Sequence, residues 1–144
     1  MFSSVAVVID THVWIWAAAD TPRRLGPKTR RLLARGTAAA SLYVSAASAF
    51  EITALHTAGR LKFNQPPERW IRESIERGRL RVLDVSTDIA TDAGAIPADS
   101  LADPIDRLLV STARDRDVPL LTRDQAILEY GTRTRLVRVV DASA

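Results

Sequence analysis

The chain contains no cysteine. Disulfide frameworks, zinc–thiolate sites and thiol nucleophiles are therefore excluded, and any metal has to be held by oxygen or imidazole. Long hydrophobic runs are also missing. The opening stretch from Ser3 to Asp10 is too short for a signal-peptide core with a basic leader, or for a membrane span. The chain is accordingly read as cytoplasmic, with no membrane partner. Neither sign of charge dominates: 20 Lys and Arg stand against 17 Asp and Glu, a net +3. That excess decides little by itself. Internal repeats, low-complexity tracts and dividing linkers are absent too, so the 144 residues are expected to form one domain, 1–144.

What is present is an alternation of short apolar runs with helical segments. Val5 to Ile9 is a β-branched run of the kind buried on both faces of a parallel sheet, and Asp10 closes it. A helix-compatible stretch follows from Thr11 to Ala19, then a break at Asp20-Thr21-Pro22 and at Gly26-Pro27. A basic helix from Lys28 to Arg35 is expected to stop at Gly36. Leu42 to Val44 reads as a second strand, and Ser45 as the cap of a helix running to about Ala58 and stopped by Gly59. A further helix passes through Trp70 to Gly78, and Leu80 to Leu83 reads as a third strand. Ser86 or Thr87 starts a short helix ending near Gly94. Asp103-Pro104 begins another, which reaches Arg116. Leu120 to Thr122 is a fourth strand, Asp124 to Tyr130 a helix ended by Gly131, and Leu136 to Val140 a fifth strand. The expected fold is α/β, a three-layer α/β/α domain around a central, mainly parallel five-stranded sheet.

In such sheets ligands bind beyond the carboxyl ends of the strands, where Asp10 and Asp124 stand. Glu51 falls on the row Ala47, Phe50, Ala54, Leu55 and Ala58, expected to be a buried stripe. A carboxylate there needs a basic partner, a shifted pKa or a cation. Asp106 similarly lines up with Leu109, Val110 and Ala113, whereas Arg107, Ser111, Arg114 and Asp115 form the polar row of that helix. Asp103 and Asp124 each fit an ordinary helix cap as well as a site acid. Asp84 follows an apolar run but sits among turn formers and is left out of the site. Like charges gathered at one sheet edge repel unless a divalent cation neutralises them, and carboxylate oxygen suits Mg²⁺ or Mn²⁺. That chemistry points to phosphodiester hydrolysis, and the basic surplus elsewhere on the surface either holds the polyanion or simply solvates helix faces.

Taken together, VVIDTHVWIW, VSAASAFEITALHTAGRL and DPIDRLLVSTARDRDVPLLTRD resemble the PIN-domain ribonucleases, in particular the VapC-like toxins of bacterial toxin–antitoxin pairs. The resemblance covers nearly the whole chain. It implies an Mg²⁺- or Mn²⁺-dependent endoribonuclease with Asp10, Glu51, Asp106 and Asp124 around the metal, and the DPIDR form adds Asp103. Many relatives place the last acid a few residues beyond the Thr-Arg pair that Asp124 here follows directly. Thr11 is implied as a supporting hydroxyl, with an N-cap as its alternative. The resemblance further implies an RNA substrate, a VapB-like antitoxin inserting a basic residue into the acidic site, and a homodimer or toxin–antitoxin hetero-oligomer. Among other readings, a haloacid-dehalogenase-like phosphatase with Asp10 as nucleophile wants a second Asp two positions on, where His12 stands. A phospho-acceptor receiver domain lacks its acidic pair and late Lys. A non-catalytic RNA-binding module would not need the full set of acids.

Overall fold

The computed structural model describes residues 6–19 and 24–144. The break expected at Asp20-Thr21-Pro22 and the first strand residue, Val5, lie outside them. Five parallel strands form one sheet: β1 (Val7–Ile9), β2 (Leu42–Ser45), β3 (Arg81–Leu83), β4 (Leu120–Thr122) and β5 (Val139–Asp141), in the order β3-β2-β1-β4-β5. The sheet is wholly parallel. Its chain order reverses between β1 and β4, the switch point at which such sheets open a crevice beyond their strand ends.

Alternation along β1 explains the two cores. Val7 and Ile9 face a layer built from α1 (Thr11–Ala18), α2 (Pro27–Ala39) and α4 (Pro67–Gly78), with α3 (Ala46–Thr57) supplying Ile52; Trp14, Leu33 and Trp70 fill it. Val8 faces the opposite layer, where α6 (Pro104–Arg116) and α7 (Gln125–Thr134) contribute Leu109, Val110 and Ile127, and Ile96 follows α5 (Thr87–Gly94). Leu109 and Val110 are fully buried, each worth about 1.5–3 kcal/mol of removal from water. That burial commits one face of α6 to the sheet and carries Asp106 inward with it.

Two glycines expected to end helices lie inside them instead. The second helix runs through Gly36 to Ala39, and a methyl group at Gly36 would overlap the Leu42 side chain. The last helix likewise runs through Gly131 to Thr134, where a Cβ would stand 2.7 Å from Val139 Cγ1. Both glycines allow close helix–sheet approach. Gly59 does end α3, at φ 75°, where its N–H donates to His56 O and Arg60 N–H to Leu55 O. The fifth strand starts at Val139 rather than Leu136, whose side chain is exposed.

Candidate metal centre

Asp10 follows β1 and caps α1. Its Oδ1 accepts the Thr11 N–H at 2.7 Å and its Oδ2 accepts the Thr122 hydroxyl at 2.6 Å. Burial pushes this carboxyl above its ordinary range, against the lowering effect of those two hydrogen bonds; the Asp124 charge adds to the rise. Thr122 also accepts the Asp124 N–H at 2.9 Å, so one hydroxyl ties the end of β1 to the start of α7. Thr11 is not the N-cap. Its buried hydroxyl donates to Ser48 Oγ at 2.8 Å and so binds α1 to α3 beside the site.

Asp103 and Asp124 do cap helices. Asp103 Oδ1 accepts from Ile105 N–H at 2.9 Å, and Asp124 Oδ1 accepts from Ala126 and Ile127 N–H at 2.8 and 3.1 Å. Each leaves its second oxygen unpartnered among the described residues, so capping and a site role are compatible. The positive ends of α1, α6 and α7 offset part of the repulsion between the acids that cap them.

Asp106 is 8% exposed and has no ion pair or hydrogen bond among the described residues. Its carboxyl is pushed up to about 8, first by loss of water and then by the charges of Asp103, Asp124, Asp10 and Glu51. All four other acids named from the sequence therefore act on this one group. Glu51 joins them half-buried, with no basic partner among the described residues. The ion pairs found there are Arg114–Asp92, Arg133–Glu129 and Arg138–Asp117, and none touches the cluster. The salt-bridge explanation for Glu51 and Asp106 thus has no support among the described residues.

Two details differ from expectation. The row containing Glu51 is not a buried stripe: α3 packs through Ala47, Ser48 and Ile52, leaving Phe50 67% exposed and Ala54 and Ala58 in solvent. The polar row of α6 is not a solvated face, because α5 lies against it; Ser111 is buried and Arg114 reaches Asp92 at 3.3 Å. Asp84 is exposed and exerts none of the charge effects felt by Asp10 and Asp106. Thr122 and Ser48 were not singled out from the sequence. The available signals were a hydroxyl closing an apolar strand and a small polar residue one turn before Glu51.

A buried acid with no basic partner among the described residues, raised by four like charges, has the chemistry that would fit a hard divalent cation. Oxygen-only donors fit Mg²⁺ or Mn²⁺. Among the described residues no three such groups yet converge closely enough to grip an ion. To hold an ion the acids would have to turn toward it.

The model of the PIN domain family matches residues 7–132. The chain is 30% identical over 124 residues to Ribonuclease VapC22 of Mycobacterium tuberculosis, covering 86% of this chain and 91% of that protein. Among solved structures, a chain of the promoter-DNA-bound VapBC2 complex of Rickettsia felis superposes at TM-score 0.65 and 13% identity, covering 94% of this chain and 98% of that one. A chain of DNA-bound VapBC from Salmonella typhimurium gives TM-score 0.65 at 22% identity, with 96% and 98% covered. With fold and sequence in agreement, the chain belongs to the PIN-domain family and is VapC-like within it.

Proposed function

We propose that this protein is a divalent-metal-dependent endoribonuclease, the toxin of a toxin–antitoxin pair, acting as a single domain in the cytoplasm. The observation that carries the reading is Asp106, a buried acid with no basic partner among the described residues, whose carboxyl is raised by the charges of four further acids. Asp10, Asp106 and Glu51 would hold Mg²⁺ or Mn²⁺, joined by Asp103 and Asp124 through their uncommitted oxygens. When bound, the ion neutralises charge developing on the phosphoryl oxygens and lowers the pKa of the attacking water. Thr122 and Thr11 hold Asp10 by both oxygens, so its orientation is set before substrate arrives. Glu51, on a half-buried helix face, orients the attacking water and accepts its proton.

A nuclease centre open to RNA needs a block, and a solved relative from Klebsiella pneumoniae is a toxin–antitoxin complex. An antitoxin guanidinium or ammonium inserted near Asp10 and Asp106 would pair with carboxylates otherwise left for metal and phosphate. The apolar residues of such a partner have a cleft of about 520 Å³ between α2 and α4, lined by Leu25, Leu33, Leu42 and Leu80. Trp14 forms its floor, being fully buried with its indole N–H on Ser74 Oγ. The exposed Phe50 beside Glu51 supplies apolar surface for a homodimer. Among the described residues no helix is long and apolar enough to cross a membrane.

The test is cleavage of labelled RNA with Mn²⁺ or Mg²⁺. Asp10→Asn, Glu51→Gln and Asp106→Asn should each lower the rate by orders of magnitude, and Asp84→Asn should leave it unchanged. Equal loss at Asp84 would overturn the site map. For the partner, the neighbouring gene product is co-expressed and removed; unchanged activity on removal would sink the antitoxin assignment alone.

A further inference from the structure

Beside the acids lies a second cluster of opposite sign. The guanidinium of Arg123, the residue between Thr122 and Asp124, stands 5.7 Å from the centre of the Trp16 ring, and that of Arg24 stands 5.6 Å from it. Arg123 Nη1 donates to the Arg24 carbonyl oxygen at 2.6 Å, joining the loop after β4 to the segment before α2. The exposed imidazole of His12 lies 5.7 Å from the same indole, tilted by 48°. His12 is two residues from Asp10, and Arg123 is adjacent to the residue that grips Asp10. Both arginines are exposed, and neither has a carboxylate partner at ion-pair distance among the described residues.

Two unpaired cations held over one indole beside a centre of five acids need an explanation. Cation–π attraction holds both there, and the Arg123 charge acts on the Asp141 carboxylate, yet neither guanidinium has an ion pair among the described residues. A phosphate would neutralise both. The exposed ring of His12, 5.7 Å from Trp16 and tilted by 48°, adds a further π-surface to the cluster, on which an unpaired base can stack.

We propose that Arg24, Arg123, His12 and Trp16 form a positioning subsite for single-stranded RNA. The two guanidiniums clamp a phosphate flanking the one to be cut, and His12 over Trp16 stacks the adjoining base. The inference rests on the ribonuclease reading and assigns its substrate path. It also explains how an acidic centre receives a polyanion: the strand is held at the basic side and only the scissile phosphate enters the acids.

The experiment measures binding of a short fluorescein-labelled single-stranded RNA of random sequence, by anisotropy in EDTA, over a range of salt. Arg24→Ala and Arg123→Ala should each reduce the slope of log affinity against log salt, and the double variant should reduce it by about 0.7, the value for one phosphate no longer neutralised on a single strand. Arg123→Lys should recover the slope, which a merely structural role for Arg123 would not. His12→Ala should weaken binding about fivefold at unchanged slope, as loss of one stacked base does. Arg138→Ala, before β5 at the opposite strand ends, is the control and should change neither. Slopes unchanged in both arginine variants, or no binding by wild type, would overturn the subsite. Cleavage of the same RNA by wild type with Mn²⁺ is read in parallel. Cleavage with unchanged slopes defeats the subsite alone, whereas normal slopes without any cleavage defeat the nuclease reading.

Discussion

Asp106→Asn should stabilise the metal-free protein at pH 8, although it removes a buried side chain's native chemistry. The carboxyl is raised from 3.8 to about 8 in the fold. An acid raised in this way binds its proton more tightly folded than unfolded. Between pH 4 and 8 the unfolded state then holds fewer protons, and stability falls as pH rises through that window. The rise corresponds to about 6 kcal/mol at about 1.4 kcal/mol per pKa unit, an upper limit because the site opens to water and salt. Screening leaves roughly 2–3 kcal/mol as the expected effect. Asp10, also raised, contributes with the same sign. Urea unfolding in EDTA from pH 4 to 9 should show wild type losing stability toward pH 8. Asp106→Asn should show a flatter profile and exceed wild type at the alkaline end. Wild-type stability independent of pH in this window, or a large loss on Asp106→Asn at pH 8, would refute the reasoning and revive a structural ion pair.

Three further outcomes follow from the same contacts. Thr122→Val removes the hydroxyl that Asp10 Oδ2 accepts and should cost about 1–3 kcal/mol in urea unfolding. It should also raise the Asp10 pKa further, because that bond is among the effects lowering it, and so shift metal binding to higher pH. Gly36→Ala and Gly131→Ala should each destabilise by about 1–3 kcal/mol by overpacking against Leu42 and Val139, whereas Gly94→Ala, with open space around it, should gain about 0.5–1 kcal/mol. Thermal unfolding of the three variants separates these signs.

The strands, and the acids at their ends, were legible because each signal is local and chemically expensive. A β-branched run has few homes other than a buried strand, and Asp106 on a row of residues that prove fully buried has to be compensated by something. Gly36 and Gly131 were misread because a helix stop and a tight helix–sheet contact both demand a residue without a side chain, and only the partner strand decides between them. The face of α3 was misread for a related reason. Periodicity identifies an apolar row, not what covers it, and the covered side uses Ser48, whose hydroxyl is satisfied by Thr11 from another helix. Thr122 escaped notice since its importance lies in reaching Asp10, a residue 112 positions away. The Arg24–Arg123–Trp16 cluster is equally non-local, assembled from three separate segments.

That these acids form one divalent-cation site is tested most directly by calorimetric titration of the apo protein with Mn²⁺ at pH 7, in two buffers of different ionisation enthalpy. With Asp106 at about 8, most molecules carry its proton at that pH, and an ion must displace it. Binding should therefore release about one proton per protein from Asp106, with any further release coming from the likewise raised Asp10, and Asp106→Asn should lose both the binding and the Asp106 share of the release. Absence of binding, binding without proton release, or unchanged binding by Asp106→Asn would contradict the account.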